Sequence, residues 1–213
     1  MLADRKLTDH IQNIIIGRNT KSNIQVEVKM SRLSVGEKMP NFTFNTAYEQ
    51  GKTVGDMVSQ RKTVFWVLRY IGCTSCRYDV HDISQRYSEF LQKGVQVAVV
   101  MQSEPAVARE SIGEARLPFD IICDTDMEIY KALEILPASS MEELLGNDPA
   151  FIAKFEEKRK KIKESGFTHG KYEGDEQQLP ALFIVNTDRR IEYAHYAKSI
   201  ADMPTVDELL AIL

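Results

Sequence analysis

Thr63-Val-Phe-Trp-Val-Leu-Arg-Tyr-Ile-Gly-Cys-Thr-Ser-Cys-Arg-Tyr-Asp-Val-His-Asp-Ile-Ser-Gln-Arg-Tyr-Ser-Glu-Phe-Leu91 decides the fold. It opens with a β-branched and aromatic run, Thr63 to Leu68, of the length and type of a buried strand. Cys76, Val80, Ile83, Tyr87 and Leu91 then recur at helical spacing, which predicts one apolar face on one helix. Between strand and helix lies Gly72-Cys-Thr-Ser-Cys76. A helix N-terminus carries unpaired N–H groups and about half a positive charge, so a thiolate placed there is stabilised and its pKa falls. Cys73 falls at or just before the first turn, off the apolar stripe, and is expected to be the more exposed thiol. Cys76 falls one turn in, on the stripe. Cysteines three apart on a helix approach disulfide geometry with little backbone movement. The pair therefore reads as a redox pair, with Cys73 as nucleophile and Cys76 as resolving thiol. Arg69 ends the strand pointing at the site and is a candidate to stabilise the thiolate. Arg77 is a second, equally readable as a solvent-facing helix charge. Thr74, between the cysteines, completes the supporting set.

Two other uses of the cysteines are open at this level. They could be small core residues, since free cysteine is commonly buried. They could also be half of a structural zinc site, for which Cys-x-x-Cys is a common ligand spacing. The other candidate ligands are Cys123 and the scattered His10, His81, His169 and His195, with no second paired motif. The expectation is therefore redox chemistry, with no metal and no cofactor. Cys123 ends a buried-looking strand and reads as core.

The chain has 213 residues and a net charge of −4, with both signs interspersed. That is enough for one well-buried domain with an appendage, and no basic patch points to nucleic acid. The amino terminus, Met1 to Lys6, is too charged to begin a secretion signal, and Ile14 to Ile16 is too short to span a bilayer. No membrane association and a cytoplasmic location are expected. There, a Cys-x-x-Cys is more often catalytic or metal-binding than a structural disulfide.

Residues 7–16 carry a helical apolar face and 24–30 alternate as a half-exposed strand, an extension covering 1–32 that could decorate an edge or act as a dimer arm. Val35 to Phe44 is a Gly/Pro-containing loop and short alternating segment. Glu49 to Lys52 reads as a hairpin turn, and 54–59 as a short helix. After the central strand and helix, Lys93-Gly94 reads as a C-cap and Val95 to Met101 as a second buried strand. A helix with Ser103 as cap and Pro105 early follows, through about Glu114. Phe119 to Cys123 is a strand, and Asp124-Thr-Asp126 caps a helix through Leu133. This strand–helix alternation predicts an α/β core with a parallel section. Residues 138–178 break it with two helices and a polar loop, an insertion that could cover the active site or a partner interface. The Lys158-Arg-Lys-Lys161 run reads as a solvated helix face. Leu179 to Val185, a turn at Asn186–Asp188 and Arg190 to Ala197 form a hairpin, and a capped helix with Pro204 near its start closes the chain.

Together these segments resemble the peroxiredoxin-like branch of the AhpC/TSA family, on the thioredoxin fold. The likeness covers about residues 33–213, taken as the domain. Four features carry it: Val35 to Phe44 as entry segment, Arg69 to Arg77 as active-site loop, Cys123 to Asp126 as strand-to-helix turn, and Leu179-Pro180 with the following hairpin. The resemblance implies a central mixed β-sheet flanked by helices, with the insertion placed before the cis-proline strand. It implies that Pro180 is cis and faces the cysteines, with Leu179 lining the substrate contact. The chain departs from the peroxiredoxin pattern Pro-x-x-x-Thr-x-x-Cys in either register. Aligned on Cys76, the Thr position is Cys73 and the Pro position is Arg69, and this register of the resemblance implies the opposite order, with Cys76 as nucleophile; aligned on Cys73, those positions are Tyr70 and Trp66.

The resemblance implies a thiol-dependent antioxidant oxidoreductase that reduces a peroxide or disulfide. A thioredoxin- or glutathione-like thiol reductant would regenerate it, and a homodimer is expected. The competing expectations are a non-catalytic thioredoxin-fold binding or scaffold protein and a structural zinc site. An ordinary thiol pKa would favour the scaffold reading.

Overall fold

The computed structural model describes residues 31–213. The extension helix and strand expected at 7–16 and 24–30, and the dimer arm with them, lie outside the described residues. The sheet is built around the opening run of the stretch quoted above, now β3 (Lys62–Val67). Its other strands are β1 (Thr43–Thr46), β2 (Lys52–Thr53), β4 (Val95–Met101), β5 (Asp120–Cys123), β6 (Ala181–Val185) and β7 (Ile191–Tyr196). The order across the sheet is β2-β1-β5-β4-β3-β6-β7. β3, β4 and β5 run parallel, whereas β1 and the β6–β7 hairpin pair antiparallel to their neighbours.

Period-two alternation divides the central strands between two cores. Val64, Trp66, Val97, Val99, Leu182 and Ile184 face one, and Phe65, Val67, Ala98, Val100, Phe183 and Val185 face the other. Each fully buried aliphatic or aromatic side chain contributes about 1.5–3 kcal/mol of burial free energy. Helix α2 (Thr74–Gln85) lays Cys76, Val80 and Ile83 on the Trp66 face, as the spacing predicts. The carboxy-terminal helix (Val206–Ile212) packs on the same face and begins with a capping box between Thr205 and Glu208.

Some local expectations are corrected. The long helix breaks at Arg86 (φ −110°, ψ 12°), and a separate α3 spans Tyr87–Gln92. The break resets the helical phase, so Phe90 is fully buried and Leu91 is 39% exposed. In α4 (Pro105–Ile112) the cap position is Glu104. Ser103 is buried and accepts a hydrogen bond from the Ile71 N–H at 2.8 Å. Helix α5 (Glu128–Ala132) starts after Met127 in the left-handed region (φ 57°). The Asp124 carboxylate reaches forward to accept the N–H groups of Glu128 and Ile129, at 3.0 and 2.9 Å. The Leu179–Pro180 peptide is trans, since no described peptide bond is cis; trans is the lower-energy form even before proline.

Residues 138–178 contain α6 (Met141–Leu145), α7 (Pro149–Glu164) and a loop. No residue of α7 is fully buried. Its basic run is largely a solvated face, with Arg159 paired to Glu156 and Lys161 to Glu157. Lys158 instead reaches Asp79 of α2 at 2.6 Å.

Tyr130, on α5, is fully buried in the core of Phe65 and Val67, and its hydroxyl donates to the Leu68 carbonyl at 2.7 Å, with the Val100 carbonyl at 3.2 Å. Tyr130→Phe leaves the packing in place and strips both carbonyls of that donor. It is expected to lower stability by about 1–2 kcal/mol in urea denaturation. A midpoint equal to wild type would show that the hydroxyl contributes nothing.

Candidate active site

The chain leaves the sheet as β3 ends. The Leu68 N–H still donates to the Val100 carbonyl at 2.9 Å, and the Gln102 N–H to the Arg69 carbonyl at 2.8 Å. The Cys73 N–H donates to the Tyr70 carbonyl at 3.2 Å, which closes a turn and sets Cys73 as the N-cap of α2. The Cys73 Sγ takes the place of a capping oxygen and accepts from the Cys76 N–H at 3.4 Å. Arg69 brings Nη2 to 2.8 Å from the same sulfur, while its Nη1 donates to the Glu176 carbonyl.

Both thiols are free and buried, and Cys73 is only 1% exposed, which corrects the expectation of a more exposed Cys73. Electrostatics, not exposure, separates them. Hydrogen bonding from the Cys76 thiol, then the Arg69 charge and the Cys76 N–H, outweigh burial and bring Cys73 down to about 6. Burial, and then the neighbouring Cys73, hold Cys76 well above the ordinary thiol range. At neutral pH the site is a Cys73 thiolate beside a protonated Cys76. A thiolate beside a protonated thiol is an arrangement that can supply an attacking and a resolving sulfur.

The other expected site residues divide. A groove of about 680 Å³ between α7 and the start of α2 opens on Cys73, Thr74 and Ser75, with Phe155 and His169 on its walls. Thr74 therefore stands beside Cys73 at the groove wall. Arg77 is engaged elsewhere: its Nη1 donates to the Thr168 carbonyl at 3.1 Å, and its guanidinium lies over the Phe167 ring at 5.4 Å. Pro180 lines a small cavity of about 20 Å³ together with Cys76. Leu179 is half-buried and lines neither space. Among the described residues no third His, Cys, Asp or Glu joins the pair as a metal-ligand cluster. Cys123 is buried away from water, and burial pushes its thiol up to about 12. A separate cavity of about 340 Å³, lined by residues such as Asp56, Tyr87 and Arg116, holds no cysteine.

The loop after α7 straps the active-site turn. The Gly170 N–H donates to the Gly72 carbonyl at 2.7 Å. The Tyr70 hydroxyl donates to Glu176 at 3.2 Å and lies 3.3 Å from His169 Nε2. Ser103 donates to Glu173 at 2.8 Å, and the Asp175 N–H donates to Gln102 at 2.7 Å. Sequence reading missed these residues. Ser103 has the pattern of a helix cap, and side chains meeting across a hundred residues leave no local spacing to read.

The family model described as "AhpC/TSA family" matches residues 35–194. None of the curated proteins matches the chain. Among solved structures, a cysteine-to-serine variant of peroxiredoxin 6 from Arenicola marina is similar at 14% identity and a TM-score of 0.62, over 84% of this chain and 71% of that one. A yeast mitochondrial 1-Cys peroxiredoxin, described with thiol resolution via glutathione/thioredoxin systems, is similar at 13% identity and 0.59, over 84% and 74%. The peroxidoxin BcpB of Mycobacterium tuberculosis is similar at 10% identity and 0.60, over 84% and 96%. At these identities the structures show a shared fold.

Proposed function

The chain belongs to the AhpC/TSA family and is a thiol-dependent peroxidase or oxidoreductase, and we propose that it reduces peroxides through Cys73 and Cys76. The observation that carries this reading is the placement of the Cys73 sulfur, 2.8 Å from Arg69 Nη2 and 3.4 Å from the Cys76 N–H. In the first step the Cys73 thiolate attacks one peroxide oxygen. The S–O bond forms, the O–O bond breaks, and the alcohol or water leaves with a proton. Arg69, already beside the sulfur, faces the negative charge that develops on the leaving oxygen. The Cys76 sulfur then attacks the Cys73 sulfenic acid, the S–S bond forms and water leaves. Two reducing equivalents from an external dithiol or a pair of thiols, thioredoxin- or glutathione-like, restore the site. The cytoplasm, where such reductants are available, is part of the same proposal. Among the described residues no helix is long and apolar enough to cross a membrane.

Stopped-flow mixing of reduced protein with hydrogen peroxide tests the reading. The readouts are Trp66 fluorescence and intact mass. The expected result is a reaction far faster than that of a free thiol, ending about 2 Da lighter. Cys76→Ser is expected to stop about 16 Da heavier, as the sulfenic acid. Cys73→Ser is expected not to react. A wild-type rate no better than a free thiol would remove the peroxidase reading.

A further inference from the structure

One half-buried titratable group near the pair has no part in the steps above. Asp79 lies three residues after Cys76 on α2, so their side chains share a helix face. Both line the cavity of about 20 Å³, with Arg69, Ser75 and Pro180 also at its wall. That volume has room for one water, and Arg69, Ser75 and Asp79 at its wall carry the polar groups that could bind it. Asp79 is held in place from outside by Lys158, whose Nζ lies 2.6 Å from Oδ1 and 2.7 Å from Oδ2.

Resolution poses a proton problem that this placement answers. Cys76 is the protonated member of the pair and must lose its proton before it can attack, yet it faces apolar core on its remaining sides. Building on the Cys73–Cys76 reading, we propose that Asp79 is the proton acceptor for Cys76 during disulfide formation, through a water in the shared cavity. The Cys76 S–H proton passes by way of that water to the Asp79 carboxylate. The Cys76 sulfur then displaces hydroxide from the Cys73 sulfenic acid. The hydroxide takes the proton back from Asp79 and leaves as water. The net change is one sulfenic acid and one thiol converted to one disulfide and one water, with the carboxylate regenerated.

The groups facing Asp79 fit the role. Burial raises its carboxyl above the usual range, while Lys158 from α7 pulls it down and Asp82 of its own helix pushes it up. Arg69 is the other charged side chain at the cavity. The balance leaves a carboxylate that is a stronger base than an exposed aspartate.

The test separates the two chemical phases in stopped-flow fluorescence with hydrogen peroxide, across pH 6 to 9. In the wild type a second phase, ending in disulfide by mass, follows the first. Asp79→Asn is expected to slow that second phase about a hundredfold at pH 7 and to make it rise steeply with pH as solvent base takes over. Lys158→Met breaks the same ion pair but keeps the carboxylate, and is expected to keep a fast second phase with a shallow pH dependence. A second phase in Asp79→Asn with the wild-type rate and pH slope overturns the assignment. So does an equal slowing in Lys158→Met, which would mean that the ion pair matters only for structure. A wild type that never forms the disulfide overturns the Cys73–Cys76 reading itself, a result distinct from either of these.

Discussion

Arg69→Met is expected to slow the reaction with hydrogen peroxide at pH 7 by about a hundredfold, by two separable routes. The first is ionisation. Arg69 supplies a full charge and one of the hydrogen bonds that hold Cys73 near 6. Without it, the Cys76 thiol and N–H still favour the thiolate, so the pKa climbs only part of the way to the ordinary value. The sign follows from the direction of the shift. A thiol with a depressed pKa is anionic above about 6, and loses reactivity about tenfold per pH unit below that value. The variant carries the falling limb to higher pH and leaves pH 7 on its slope. The same depression adds to folding stability above the unfolded thiol pKa, and that contribution is lost as pH falls through about 6. The second route is loss of a preorganised cationic donor beside the reacting oxygens, and it persists at a pH where both proteins are fully ionised. Thiolate absorbance against pH reads the first route, and peroxide rates at high pH read the second. Arg69→Lys restores charge without the fork that reaches both Cys73 and the Glu176 carbonyl, and is expected to fall between. An unchanged titration and an unchanged rate in Arg69→Met would remove Arg69 from the site.

Gly72→Ala is expected to destabilise the protein by about 3 kcal/mol, or about 9 °C in Tm, although it adds one methyl group. A Cβ on Gly72 would stand 2.0 Å from the Lys171 carbonyl oxygen and 3.0 Å from the Lys171 carbonyl carbon. These are backbone atoms, so no side-chain rotation relieves the clash. Either the cysteine turn or the strap must move, and the 2.7 Å hydrogen bond from the Gly170 N–H to the Gly72 carbonyl goes with it. The variant should also react faster with a bulky thiol reagent, because the strap no longer closes over the turn. A Tm and a labelling rate equal to wild type would falsify the clamp.

Much of the architecture was legible in the chain. β3 and β4 stood out as uninterrupted runs, because strands buried on both faces have no polar alternation to confuse the reading. The strand-to-helix junction at Gly72 to Cys76, which places Cys73 at the start of α2, was legible from the β-branched run before it and the apolar stripe after it. Arg69 was legible because it lies two residues after β3 and four before Cys73. Local pattern failed where a tertiary contact overrode it. The apolar stripe was read through to Leu91, but the break at Arg86 rotated Phe90 inward instead. Ser103 has the sequence of a cap, but the approach of Ile71 and Glu173 drew its hydroxyl to the active-site turn. Arg77 is as near Cys73 in sequence as Arg69, yet helix geometry turns it to the strap.

The sequence by itself determined the α/β class and the order of the central elements, and it set Cys73 and Cys76 together at one strand-to-helix junction, because these rest on periodicity and on spacing within one short segment. Only the tertiary structure decided which thiol carries the charge. Both cysteines are buried; Cys73 is lowered first by the hydrogen bond from Cys76 and then by an arginine fork held on the Glu176 carbonyl, more than a hundred residues along the chain, while burial holds Cys76 high. The same holds for Asp79, a charged helix residue in the sequence that the approach of α7 pairs with Lys158 and that shares a cavity wall with Cys76 and Pro180. Charge interactions depend on distance and burial, and both are set by segments that the sequence keeps far apart.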